Sequence, residues 1–87
     1  VASTTVTVGS TVGLHARPAA LIAEAAAGFD DVVLLHLVGD EGEDDADASS
    51  TLMIMAMGAR CGDEVTVRSA NPLAVKKVAA LIAAELS

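Results

Sequence analysis

Two histidines are the side chains best able to carry group-transfer chemistry near neutral pH, and their settings differ. His36 lies inside the apolar run VVLLHLV, residues 32–38, with no acidic or basic neighbour in sequence. The expectation there is a strand residue with a partly solvated ring and no functional role. His15 stands in GLHARPA, residues 13–19, where a short connector meets a stretch rich in Ala and Leu. Placed at or next to a helix N-cap, it would lie near the free N–H groups of Ala16 and Arg17. A helix N-terminus favours anions through those donors and through the helix dipole. Arg17 adds a full charge and a fork of donors suited to phosphate. Gly13 lets the chain turn sharply, and Pro18 stiffens the first turn without removing a useful donor. An imidazole with an ordinary pKa of about 6.5 is partly neutral and nucleophilic at pH 7. Phosphoryl transfer needs positioning and charge stabilisation above all, so two or three groups suffice. The grouping therefore suits a phosphoryl group on His15, against a plainer reading of a helix cap beside a surface charge.

The elements that must position these residues are legible from period and punctuation. Thr4 to Val8 alternates as a half-buried strand, closed by Gly9 and Ser10. Residues 16–27 form a helix that starts near Ala16 and stops at Gly28, with Leu21, Ile22, Ala25 and Ala26 on its apolar side. Residues 32–38 read as a strand buried on much of both faces. Residues 39–47, GDEGEDDAD, read as an exposed loop or hairpin tip, with a short strand following or overlapping its end. Residues 49–57 read as a short helix, capped by hydroxyl residues and ending at Gly58, with Ile54 and Met57 inside and Met53 outside. Residues 63–69 alternate again, with Val65 and Val67 facing one way. Asn71 and Pro72 then open an amphipathic helix over 72–86 bearing Leu73, Val78, Leu81, Ile82 and Leu86. The order implies an α+β fold, one sheet with helices packed on one face.

Composition narrows the function. The chain has 87 residues, enough for one small domain spanning 1–87. Hydrophobic residues make up 53% against 20% charged, so the chain should fold, around an aliphatic core because aromatics are only 1%. Five basic residues against twelve acids give a formal charge of -7, which argues against nucleic acid, as does the lack of stacking aromatics. Six of those twelve acids, Asp40, Glu41, Glu43, Asp44, Asp45 and Asp47, lie in residues 39–47. Their spacing fails the calcium-loop pattern, so solubility explains them better. Cys61, the lone cysteine, sits beside Arg60 and Gly62 in a turn and fits a reducing compartment. With no membrane-length apolar run and no secretory leader, the expected location is the cytoplasm. An acyl carrier would need a serine directly after aspartate and before leucine on a helix. Asp47, Ala48, Ser49, Ser50, Thr51 and Leu52 break that adjacency.

GLHARPA strongly resembles the active-site motif of HPr, the histidine-containing phosphocarrier family of bacterial phosphoenolpyruvate:sugar phosphotransferase systems. The likeness covers nearly the whole chain, since LMIMAMGARCGDEVTV is similar to that family's second helix, glycine turn and strand. It implies an open-faced α+β sandwich, a four-stranded, mostly antiparallel sheet with two longer helices and one short helix on one face. It implies a carrier rather than an enzyme, with no metal and no cofactor. His15 would accept the phosphoryl group on its δ nitrogen from phospho-enzyme I and pass it to enzyme IIA domains of sugar permeases. Ala16 and Arg17 would bind the phosphoryl oxygens. Ala20, Leu21, Thr51, Leu52, Met53, Met55 and Ala56 would form the partner surface, where methionines suit several partners. Ser50 matches a site used by a regulatory serine kinase in some members, although Ser49 precedes it where those members carry a basic residue. A monomer is expected, with a paralogous regulatory or nitrogen-related phosphorelay as the alternative role.

Overall fold

The computed structural model describes residues 2–11, 13–39 and 45–84. The elements are β1 (Ala2–Thr7), α1 (Ala16–Ala27), β2 (Val33–Leu37), β3 (Ala46–Asp47), α2 (Thr51–Ala56), β4 (Glu64–Ser69) and α3 (Pro72–Ala83). The sheet runs β1-β4-β2-β3 with every pair antiparallel. Val33 and Leu35 of β2 and Val65 and Val67 of β4 point into one aliphatic cluster with Ile22, Ile54, Val78 and Ile82 of the helices. The alternate positions, Ser3, Thr5, Thr66, Arg68 and His36, take the other face of the sheet, as the period of two requires. Helices therefore cover one face and leave the other open, the α+β sandwich expected.

The helix signals hold in detail. Ser50 caps α2, its Oγ accepting from the Met53 N–H at 3.3 Å. Asn71 caps α3, its Oδ1 accepting from the Leu73 N–H at 3.0 Å, with Pro72 in the first turn. Gly28 follows α1, its N–H donating to the Ala25 carbonyl at 3.2 Å.

Several sequence expectations need correction. β2 is buried on one face only, because no second layer covers Leu34 and His36, and Val32 beside it is 64% exposed. β1 ends at Thr7, and Val8 is buried beyond it, donating to the Asp63 carbonyl at 2.8 Å and accepting from the Gly62 N–H at 3.0 Å. Leu73 is 70% exposed, since the apolar face of α3 is built from Ala74, Val75, Val78, Ala79 and Ile82. Met57 is half-buried, because α2 is so short that Ile54 alone anchors it fully. α3 ends at Ala83, where Ala84 turns extended, and Leu86 lies outside the described residues. Of the acidic stretch, 40–44 also lies outside them, while Asp45 and Asp47 belong to the folded sheet edge. Among the described residues, no helix is long and apolar enough to cross a membrane.

One close approach sets the chain ahead of α1. Gly13 has φ +74°, and a Cβ there would stand 2.6 Å from the Ala59 carbonyl oxygen and 3.1 Å from the Arg60 Cα. The next residue completes the seam, with the Leu14 N–H donating to Ala59 O at 3.0 Å and the Leu14 side chain buried. Gly13→Ala should therefore cost at least about 2 kcal/mol, from a left-handed backbone plus the overlap. A denaturant midpoint equal to that of wild type would contradict this packing.

At the sheet edge, the Asp47 carboxylate accepts from the Ser49 hydroxyl at 2.7 Å and the Ser49 N–H at 2.9 Å. These bonds hold its pKa below the ordinary value of 3.8. A depressed carboxylate stabilises the fold above its unfolded pKa, and that contribution is lost as pH falls through the folded value. Asp47→Asn should lose about 0.5 kcal/mol at pH 7, because solvent screens this partly exposed carboxylate. Urea titrations should show the gap from wild type closing below about pH 4. A gap independent of pH would contradict the ionic origin.

Candidate functional site

His15 is the N-cap residue of α1, with extended backbone angles of φ -120° and ψ 165°. Its carbonyl accepts from the Ala19 N–H at 3.3 Å, closing the first turn. Its side chain makes no capping hydrogen bond, so the imidazole is not spent on holding the helix, and the residue is exposed. His15 thus caps α1 through its backbone position alone.

The residue after it carries strain. Ala16 has φ +28°, the single non-glycine residue with positive φ among those described. Such a backbone costs about 1–3 kcal/mol and persists only where its surroundings fix it. Here the seam between Leu14 and Ala59 holds one side and the helix holds the other. Pro18 is the third helical residue and has no N–H, so the open donors of the first turn are those of Ala16 and Arg17. Neither has an acceptor among the described residues. Arg17 is exposed and makes no ion pair among those residues. An exposed imidazole, two free N–H donors and an unpaired guanidinium are thus gathered over three consecutive residues. That arrangement can bind an oxyanion and offer it a nitrogen nucleophile.

Along its length α1 packs against α2. Ala20 is exposed and Leu21 half-buried on α1. On α2, Leu52 is 75% exposed and Met53 42%, Ala56 is exposed, and Thr51 and Met55 are half-buried. All the residues singled out in sequence for partner contact are therefore at least partly accessible and lie on neighbouring helices. Ser50 is half-buried, its hydroxyl engaged in the α2 cap. Cys61 is exposed in the turn after α2.

His36 proves to have charged neighbours that its sequence context lacks. Its Nδ1 lies 3.2 Å from Asp45 Oδ1, and the other oxygen of that carboxylate pairs with the Arg68 guanidinium. The register explains the cluster, since His36 pairs with Thr66, two residues before Arg68, and Leu35 pairs with Ala46, the residue after Asp45. All three side chains lie on the sheet's open face, away from the packed helices. No group of three or more His, Cys, Asp or Glu among the described residues is placed to hold a metal ion.

Comparison with known proteins gives the same direction. The family model described as the PTS HPr component phosphorylation site matches residues 2–84. Phosphocarrier protein HPr of Treponema pallidum (strain Nichols) is 43% identical over 81 residues, covering 93% of this chain and 84% of that protein. Phosphocarrier protein NPr of Escherichia coli (strain K12) is 35% identical over 79 residues, covering 91% of this chain and 84% of that protein. Among solved structures, the phosphocarrier protein HPr from Bacillus anthracis str. Ames superposes with a TM-score of 0.82 at 26% identity, covering 93% of this chain and 95% of that one. HPr-C-His from Thermoanaerobacter tengcongensis gives 0.81 at 27% identity, covering 94% and 91%. With sequence, fold and an uncommitted histidine at the head of the first helix in agreement, the chain belongs to the HPr family of phosphocarrier proteins of the phosphotransferase system.

Proposed function

We propose that this chain carries a phosphoryl group on Nδ1 of His15, between phospho-enzyme I and the enzyme IIA domains of sugar permeases. The lone pair of Nδ1 attacks phosphorus as the donor's phosphorus–nitrogen bond breaks, and the donor imidazole keeps that electron pair. The second transfer repeats the step with His15 as the leaving group. Arg17 and the N–H groups of Ala16 and Arg17 take the phosphoryl oxygens, offsetting their charge during transfer. The observation that carries the reading is the exposure of His15 with its side chain free of any capping bond. A carrier must expose one group to successive partners, and an open site on a chain this small serves that need. Leu52, Met53 and the accessible parts of Ala20, Leu21, Thr51, Met55 and Ala56 supply the contact surface. The working location is the cytoplasm, as a monomer, with no resident metal or cofactor. Ser50 is the candidate for a regulatory serine kinase. A phosphate there would place negative charge within the contact surface and weaken docking.

A second reading is favoured by the 35% identity to an NPr protein. It keeps His15 and its chemistry but moves the chain to a nitrogen-related or regulatory phosphorelay. Rates of labelling by the phosphoryl donors of the two systems separate these roles.

Incubation with enzyme I, Mg²⁺ and phosphoenolpyruvate should add one acid-labile, base-stable phosphate per chain. His15→Ala should abolish it, and Arg17→Ala should slow it about 10–100-fold. Labelling that survives His15→Ala would overturn the site assignment.

A further inference from the structure

We propose that Arg60 is the second cation of the His15 site, supplying positive charge to the bound phosphoryl group from across the Gly13 loop. The inference rests on the phosphocarrier reading and deepens it. Its starting point is the seam described above, in which a Cβ on Gly13 would stand 3.1 Å from the Arg60 Cα. Gly13 is two residues from His15, so the Arg60 Cα lies within about three residue lengths of the His15 Cα.

The distribution of charge singles out this residue. The chain has five cations against twelve acids. Arg68 is committed to Asp45 on the open face. Lys76 and Lys77 lie on α3, where Lys76 lines the groove against Thr4 and Val6 of β1. Only Arg17 and Arg60 remain, and both adjoin the His15 loop, one from the residues that follow it and one from the chain packed against it. The nearest acid to Arg60 along the chain is Asp63, and its carboxylate has a different task. Asp63 Oδ2 accepts from the Arg60 main-chain N–H at 2.9 Å, and the Asp63 N–H donates back to the Arg60 carbonyl at 2.9 Å. Those bonds fix the turn over residues 60–63. The guanidinium itself makes no ion pair among the described residues, and the residue is exposed. A fixed root, a free charged end and a dianion arriving nearby are the conditions for electrostatic stabilisation that salt should screen.

The test is a competition for a limited phosphoryl pool. Equal amounts of wild type and Arg60→Gln are mixed with catalytic enzyme I and less phosphoenolpyruvate than total chain. At equilibrium, the partition of phosphate between the two chains reads the relative stability of their phosphorylated forms, whatever the speed of docking. Wild type should hold about three to five times more phosphate at low ionic strength, and the ratio should approach one at about 0.5 M salt. Arg60→Lys should share almost equally with wild type. Lys77→Gln, with the same loss of charge on α3, should also share equally. An equal partition between wild type and Arg60→Gln at low salt would overturn the proposal, as would a ratio that salt does not change. A wild-type chain that takes no phosphate on His15 would instead sink the carrier reading, and this inference with it.

Discussion

The contact between Gly13 and the backbone of Ala59 and Arg60 is the constraint on which the site depends. A side chain at position 13 would overlap the Ala59 carbonyl, so only glycine lets these two segments meet. The meeting is fastened by the Leu14 N–H on Ala59 O and by the buried Leu14 side chain. It joins the start of α1 to the turn after α2. The residue after His15 is then held at φ +28°, a conformation alanine avoids unless its surroundings impose it. One backbone contact thus ties the segment that leads to the histidine to the turn after α2 that carries Arg60.

The proposed site also bears on how an acidic chain would hold a phosphoryl group. With a formal charge of -7, the molecule as a whole repels anions. Attraction must be local, and in the proposed site the N–H groups of the first turn of α1, without acceptors among the described residues, and Arg17 would supply it. Half of the acids fall in residues 39–47, and the two that are described, Asp45 and Asp47, are bound at the sheet edge to His36, Arg68 and Ser49. The two faces therefore differ in character. The helical side carries the free histidine and apolar α2 residues, while the open side of the sheet carries polar residues that satisfy one another, as Thr5 and Thr66 do at 2.9 Å.

Most of the candidate site's local geometry is legible in the sequence because its determinants are local. Gly13, His15, Arg17 and Pro18 are contiguous, and each has a positional meaning at a helix start. Ser50 and Asn71 announce their helices in the same way. What escaped was non-local. His36 looked isolated because Asp45 and Arg68 are brought to it by strand pairing, which adjacency in sequence does not reveal. The strain at Ala16 has no compositional sign, since alanine is an ordinary helix residue and the φ is imposed by packing. Arg60 reads as a turn residue because its approach to Gly13 is made only by folding. Leu73 and β2 depart from expectation for a related reason, as hydrophobicity marks residues able to be buried while the number of layers decides which are.

The proposal puts the phosphoryl group on the δ nitrogen of exposed His15 and not on His36, which Asp45 already engages. Long-range proton–nitrogen spectra of the phosphorylated, ¹⁵N-labelled chain test it most directly, because they resolve both imidazoles and both nitrogens of each. The expected result is a phosphorylated pattern at Nδ1 of His15, with the His36 signals unchanged from the free chain. A phosphorylated pattern at His36, or at Nε2 of His15, would contradict it.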